Sequence, residues 1–78
     1  MHEEKEIIEE IAKYLGVAPT DVEPGKFLRE DLELGPIEIN ELLNALADKF
    51  NVVFDPNAAE EIDKVEDLVA MVEDLMIE

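Results

Sequence analysis

The chain has 78 residues, of which 22 are acidic and 6 are basic, so its formal charge at pH 7 is -16. This length allows one small domain, and the hydrophobic fraction of 47% is too high for a wholly disordered chain. The negative charge excludes ordinary binding to nucleic acid or to an anionic membrane surface, because both would repel it. We expect a single, monomeric domain over residues 1–78, and the negative charge favours basic protein surfaces or cations as its partners.

The side-chain inventory excludes most kinds of catalytic site. The sequence has no cysteine and no serine, its one histidine is His2, and its hydroxyl side chains are Thr20 and Tyr14. A thiolate site, a serine triad and a histidine-based metal cluster therefore lack their reacting groups. We predict that the chain is not an enzyme and that it has no catalytic residue, resident metal or cofactor.

Two further features bear on location and on cations. No apolar run approaches the ~18 residues of a membrane span, and the acidic start, residues 2–6, does not resemble a signal peptide. We expect a cytoplasmic protein. The cluster of Glu30, Asp31 and Glu33 does not have the spacing of a calcium-binding loop, so it favours diffuse counterions over a loosely held divalent cation.

The first predicted helix runs from Glu3 to Leu15. Its apolar residues recur at helical spacing, with acids on the other faces; they are Ile7, Ile8, Ile11, Ala12 and Leu15. Gly16 follows the last of them, where a left-handed C-cap is expected.

A long loop follows, from Val17 to Leu34, and prolines and glycines interrupt it. A loop of this length usually contains some helix, and Thr20–Glu23 resembles the start of a short turn. Isolated apolar residues in the loop predict anchors on the core. We place Phe27 and Leu32 in the interior.

The second predicted helix begins at Gly35-Pro36 and ends at Phe50 or Asn51. Proline suits the first helical position, and glycine is an acceptable N-cap. The apolar stripe of this helix has core spacing and consists of Ile39, Leu42, Leu43, Leu46 and Phe50.

The remaining chain predicts one connection and two more helices. We interpret Asn51–Phe54 as a packed connection, because the sequence offers no second strand to pair with it. A short helix over Pro56–Glu61 and a last helix from Val65 to Met76 or Ile77 complete an all-α fold. The apolar face of the last helix consists of Val65, Leu68, Val69, Val72, Leu75 and Met76. The prediction is a small four-helix bundle with three main helices, one short helix and a long first loop.

Several pieces of this sequence, in this order and spacing, resemble an acyl carrier protein. They are Leu15-Gly16-Val17 at the end of the first helix, Phe27-Leu28-Arg29-Glu30-Asp31-Leu32 before the second, Glu41-Leu42 through Ala45-Leu46 to Phe50 along it, and residues 62–65 before the last. The resemblance covers essentially the whole chain. It implies an acyl-carrier-protein-like four-helix bundle, in a family that tethers acyl chains on a phosphopantetheine arm in acyl and lipid biosynthesis.

The family's defining motif, Asp-Ser-Leu, is altered in this chain. The resemblance implies that the motif's serine, whose hydroxyl takes the arm as a phosphodiester, is matched by Pro36 within Gly35-Pro36-Ile37. Proline has no nucleophilic oxygen, and Thr20 lies 16 residues before it. The sequence therefore predicts that the chain does not carry phosphopantetheine in the family's way, while Gly and Pro still allow a helix to begin there.

The resemblance also implies a partner-binding surface on the second helix, at the acids Glu38, Glu41 and Asp48. Ile37 lies beside them at the entry to the helix, and we expect it to be an exposed apolar contact of the same surface. The alternative is an ordinary solvated face, because acids are common throughout the chain. A family-like acyl cavity would involve Ile39, Leu46, Ile62, Val65 and Leu68, but without an attached acyl group we favour a closed core.

Two functions remain open at this point. The first is a carrier-protein-like docking module that contacts a basic surface of a partner protein or biosynthetic enzyme without a prosthetic group. The second is a specialised acyl carrier protein of fatty-acid, polyketide or other acyl biosynthesis whose attachment serine is substituted in this chain.

Overall fold

The computed structural model describes residues 2–76, and in this part of the chain it is helical. The helices are α1 (His2–Leu15), α2 (Pro36–Phe50), α3 (Ala58–Glu61) and α4 (Val65–Met76), with a short 3₁₀ turn at Pro19–Asp21 in the first loop. Between residues 2 and 76 the only extended pairing is an isolated antiparallel bridge between Phe27 and Lys64. The predicted all-α bundle of three main helices and one short helix is confirmed.

Local capping explains where the first two helices end. The Gly16 backbone has a φ of 75°, and the Val17 N–H donates to the Ala12 carbonyl over 3.0 Å, which closes a Schellman motif after Leu15. Asn51 has a φ of 57°, and the Val52 N–H donates to the Ala47 carbonyl in the same way. Glycine and asparagine are the residues that adopt this left-handed conformation most readily.

The core lies between α1, α2 and α4, and α3 packs against α2. The predicted stripes supply it, because most of the residues at helical spacing on α1, α2 and α4 are buried in one cluster. The completely buried side chains of this cluster with the largest volumes are Ile7, Ile11, Leu28, Ile39, Leu42, Leu46, Ile62 and Leu68. Phe50 and Met76 are half-buried at the ends of their stripes, while Leu75 is exposed.

The first loop departs from prediction at Phe27. Its side chain is 39% exposed, whereas the neighbouring Leu28 is completely buried. The cause is the bridge with the chain before α4: the Leu28 N–H donates to the Asp63 carbonyl over 2.8 Å, and successive side chains of extended backbone point to opposite sides. The expectation that Phe27 lies in the interior is therefore wrong. Leu32, also expected there, is half-buried against the core.

Arg29 ties this loop to α3. Its guanidinium donates to the carbonyls of Ala59 over 2.9 Å and of Ile62 over 3.2 Å, and it lies 3.9 Å from the Asp63 carboxylate. These carbonyls belong to the last turn of α3 and to the residue after it, where a helix has unpaired acceptors. One side chain therefore holds the loop, the short helix and the chain before α4 together.

The start of α4 is fixed by its own carboxylate. The Asp67 Oδ2 atom accepts the N–H groups of Asp63 over 3.1 Å and of Lys64 over 3.0 Å. These two backbone hydrogen bonds hold the pKa of Asp67 below its usual range, because they favour the charged carboxylate. Asp67 thus remains an anion while it caps the helix.

Most carboxylates lack an ionic partner, and this leads to a prediction about salt. Only two ion pairs form among the side chains of residues 3–76, Arg29 with Asp63 and Lys64 with Glu66. We expect the melting temperature to rise between low salt and about 0.5 M sodium chloride, because a Debye length of ~10 Å at 0.1 M already screens repulsion between exposed charges. Thermal melts at several salt concentrations measure this. A flat melting temperature would show that repulsion does not limit stability.

Candidate functional site

The start of α2 is the part of the molecule that the sequence singles out. Pro36 occupies the first helical position and Gly35 is the N-cap, in extended backbone with a φ of -86°. Glycine has no side chain to accept a helix N–H, so only half of a capping box forms here: Glu38 Oε1 accepts the Gly35 N–H over 2.6 Å. The first turn of α2 is thus capped by Glu38 instead of by the residue before the helix.

Three of the four predicted partner-binding residues share one face of α2. With 3.6 residues per turn, Ile37, Glu41 and Asp48 fall on the side of the helix opposite the buried stripe of Ile39, Leu42, Leu43 and Leu46. All three are exposed, and Ile37 is 73% exposed, as the sequence predicts for the entry to this helix. We call Ile37, Glu41 and Asp48 the α2 strip. Glu38 lies beside the strip, and its carboxylate accepts the Gly35 N–H that caps the helix.

Glu41 accepts a hydrogen bond from a residue of the neighbouring helix α1. The hydroxyl of Tyr14, near the end of α1, donates to Glu41 Oε1 over 2.8 Å and lies 3.4 Å from the Glu38 carbonyl oxygen. This hydrogen bond restrains one carboxylate oxygen of Glu41, and no other donor among the described residues bonds to that carboxylate. Sequence reasoning missed it, because no local signal links residues 27 positions apart.

The same contact perturbs the ionisation of Tyr14. The hydrogen bond to Glu41 raises the pKa of Tyr14 above its ordinary value of 10.0, and desolvation and the charges of Glu41 and Glu38 add to the effect. Because the pKa in the folded state exceeds the unfolded value, the contact stabilises fully below pH 10 and its contribution is lost as pH rises through the folded-state pKa.

This shift is measurable because Tyr14 is the only tyrosine and the chain has no tryptophan. We expect a near-ultraviolet absorbance titration of the folded chain to give a midpoint above 10.0, and Glu41→Ala to lower that midpoint toward 10.0. Asp48→Ala is the matched control, because it removes the same charge from the same helix about 10 Å further along. Equal midpoints in both variants would mean that the hydrogen bond does not form in solution.

The acyl-cavity residues named from the sequence are in the core. Ile39, Leu46, Ile62, Val65 and Leu68 are each no more than 1% exposed and belong to one cluster. They therefore pack against one another in the interior and do not line an opening at the surface.

One of the acids before α2, Asp31, forms a hydrogen bond within the first loop. Asp31 Oδ2 accepts the Phe27 N–H over 2.8 Å, and this bond closes a turn in the first loop. Among the side chains of residues 3–76, no group of three or more carboxylates or histidines is arranged to share a metal ion.

A phosphopantetheine arm of the kind that the resemblance implies does not fit the residues present. The family's phosphodiester needs a serine hydroxyl at the start of α2, but the chain has no serine and α2 begins with Pro36. The Tyr14 hydroxyl is bonded to Glu41, and Thr20 lies in the 3₁₀ turn of the first loop. Neither hydroxyl stands at the first position of α2.

No helix between His2 and Met76 is both long enough and apolar enough to cross a bilayer.

Comparison with known proteins gives a consistent result over nearly the whole chain. Residues 5–72 match the family described as "Phosphopantetheine attachment site". An acyl carrier protein of Nitratidesulfovibrio vulgaris is 32% identical over 72 residues, which cover 92% of this chain and 95% of that protein. Acyl carrier proteins of Exiguobacterium sibiricum and Helicobacter hepaticus are 31% and 33% identical, over 87% and 81% of this chain and 86% and 83% of their own lengths.

The resemblance drawn from scattered pieces of sequence is thereby confirmed. The matched region, residues 5–72, contains the whole of α2 and α3 and most of α1 and α4. The chain belongs to the phosphopantetheine-attachment family, the family of the acyl carrier proteins.

Proposed function

We propose that this chain is a docking module that presents the α2 strip to a basic surface of a partner protein or biosynthetic enzyme, and that it carries no phosphopantetheine of its own. The proposal places it in acyl or lipid biosynthesis, alongside proteins like its relatives. Carriers of this family are bound by enzymes and do not catalyse reactions, so the module itself is not an enzyme. It acts as a monomer.

The observation that carries the proposal is the pair Gly35-Pro36 at the start of α2. The pair lacks a hydroxyl for the arm, yet the helix begins at Pro36 and Glu38 caps it. The local fold at the start of α2 therefore forms without a hydroxyl at the matched position. A scaffold kept without its reactive group suits a role in protein binding.

The α2 strip supplies what a docking surface needs. Ile37 is an exposed apolar side chain that a partner pocket could bury, and Glu41 and Asp48 add charge on the same face. Tyr14 restrains Glu41 before any partner arrives, which reduces the entropy that binding must remove. The net charge of -16 would accelerate encounter with a basic surface and would keep nucleic acid and anionic membranes away.

A second candidate is a specialised acyl carrier protein whose attachment serine is substituted in this chain. It is favoured by the likeness to acyl carrier proteins over most of their length. The two functions differ in whether the chain accepts the arm, and this is measurable by intact mass.

Binding measurements test the docking function. The purified chain, without any arm, is titrated against purified carrier-binding biosynthetic enzymes from the same organism by biolayer interferometry. We expect Ile37→Ala to weaken binding about tenfold, because an anchor at the centre of an interface carries much of its energy. Asp48→Asn is expected to reduce the association rate and its salt dependence, with a smaller effect on dissociation.

Val53→Ala is the matched control for the anchor. Val53 is 85% exposed and follows α2, outside the strip. Equal weakening by Ile37→Ala and Val53→Ala, or no binding by any carrier-binding enzyme, would refute docking through the α2 strip.

A further inference from the structure

A groove lies between α3 and α4, and none of the residues that line it belongs to the α2 strip. α3 packs against α2 but makes no close approach to α4, so the outer surface of α4 is uncovered beside it. The groove has a volume of about 420 Å³. We call it the α3–α4 groove and define it by its apolar floor and acidic rim: Ala70, Met71, Leu75, Glu61, Asp67 and Asp74.

The floor continues the apolar side of α4 beyond the core. Val65, Leu68, Val69 and Val72 face inward, and Met71 and Leu75 come next around the helix. Met71 is half-buried against the core, while Leu75 is 41% exposed and lines the groove. α4 therefore has more apolar surface than the bundle covers.

The rim is negative on both sides. Glu61 lies on α3, and Asp67 and Asp74 lie on α4 on the other side of the groove. No basic side chain among residues 3–76 forms an ion pair with these three carboxylates. Asp67 remains ionised, because two backbone N–H groups stabilise its anion.

This charge pattern selects among possible occupants. A second copy of the chain would bring another charge of -16 against the same acidic rim, and a fatty acid or anionic lipid would bring its own negative head group. A peptide segment with aliphatic side chains between lysines or arginines matches both the floor and the rim. Such segments bind as amphipathic helices whose apolar face enters a groove.

We propose that the α3–α4 groove is a second docking site, which binds a short basic amphipathic segment of a partner protein. Aliphatic anchors of that segment pack on Met71 and Leu75, and its lysines or arginines pair with Glu61 and Asp74. The site is separate from the α2 strip, so a partner could engage both surfaces or two partners could engage one each.

The probe is a labelled synthetic peptide of about twelve residues, with leucines at helical i, i+3, i+4 and i+7 positions and lysines elsewhere. Fluorescence anisotropy measures its affinity for the full chain, and NMR chemical shifts locate the contact. We expect the largest shifts at Met71, Asp74 and Leu75. A peptide with glutamates in place of the lysines, and one with alanines in place of the leucines, should each bind at least about tenfold more weakly.

Three variants of the protein distinguish binding in the groove from general charge attraction. The double variant Glu61→Gln with Asp74→Asn should weaken binding about tenfold at low salt, and Leu75→Ala, which leaves the charge unchanged, about fivefold. The double variant Glu3→Gln with Glu6→Gln removes the same charge from exposed positions of α1 and should change binding less than twofold.

Specific outcomes would refute the proposal that the groove binds a basic segment. Equal weakening by the α1 and groove double variants, an unchanged affinity in Leu75→Ala, or shifts outside the groove would reduce the interaction to diffuse attraction. If sedimentation experiments show a dimer that Leu75→Ala converts to a monomer, the occupant of the groove is a second copy of the chain. Ile37→Ala should leave peptide binding intact, so failure here is distinguishable from failure of docking through the α2 strip.

Discussion

Leu42→Ala is expected to lower the free energy of unfolding by about 3 kcal/mol, because truncation of a buried leucine loses its transfer free energy and leaves a cavity. Leu42 lies at the middle of α2, is completely buried and belongs to the central cluster. A domain of this size has a total stability on the order of 5–10 kcal/mol, so this one change removes a large part of it.

Chemical denaturation and thermal melts measure the effect, with a fall in melting temperature of about 15 °C expected for a domain of this length. Leu75→Ala is the matched control, because it removes the same atoms from a helix position that is 41% exposed. Its cost should stay below about 1 kcal/mol. Similar losses for both leucines would mean that the core is not packed as the structure has it.

Pro36→Ser alone is expected to give poor loading by a phosphopantetheinyl transferase, although it restores a hydroxyl at the first position of α2. A carboxylate would still be missing at Gly35, and Gly35→Asp together with Pro36→Ser should load much faster. The resemblance implies that an aspartate precedes the family's serine, where it can cap the helix and help the transferase recognise the site.

The structure refines the expected stability of the double variant. Aspartate is a better N-cap than glycine by a few tenths of a kcal/mol. A Cβ atom at Gly35 would lie 3.3 Å from Glu38 Oε1, so the Glu38 side chain must move slightly and two carboxylates would then share the helix start. We therefore expect the free energy of unfolding to stay within about 0.5 kcal/mol of the parent.

Mass-resolved loading rates of the single and double variants decide between the outcomes. Efficient loading of Pro36→Ser alone would show that the hydroxyl was the only missing part and that the surface is a working carrier surface. Loading of neither variant would show that the surface around α2 has itself diverged, and would favour docking on a different class of partner.

The helices were predictable from the sequence because the signals that specify them are local. Apolar spacing fixes which face of α1, α2 and α4 is buried, Gly16 ends α1, and Pro36 opens α2. The bounds of α2 agree with the predicted ones, and the short helix is shorter at its start, Ala58–Glu61 instead of Pro56–Glu61. The last helix begins at Val65 as predicted, and the alternative end at Ile77 lies outside the described residues.

Side-chain directions in the first loop were less predictable, because distant residues decide them. Phe27 and Leu28 are adjacent apolar residues, and nothing local says which one faces the core. The backbone bridge with Lys64 makes that choice, and the Lys64 ammonium then lies 5.2 Å from the centre of the exposed Phe27 ring.

In the candidate site, too, local signals predict some features, while contacts between distant residues decide others. Helical spacing alone places Ile37, Glu41 and Asp48 on one exposed face, and a glutamate three residues after Gly35 was a usable sign that Glu38 caps the helix. The bond from Tyr14 to Glu41 joins two helices and had no signal in the sequence. The α3–α4 groove likewise depends on how far α3 lies from α4, which periodicity does not specify.

The most direct test is the intact mass of the unaltered chain after incubation with a phosphopantetheinyl transferase and coenzyme A. A serine-bearing acyl carrier protein in the same tube serves as the positive control for the enzyme. A docking module without its own arm predicts no change in mass for this chain while the control is fully loaded. A gain equal to one phosphopantetheine arm, mapped to Thr20, Tyr14 or any other residue, would contradict it and make the chain an acyl carrier with an unusual attachment site.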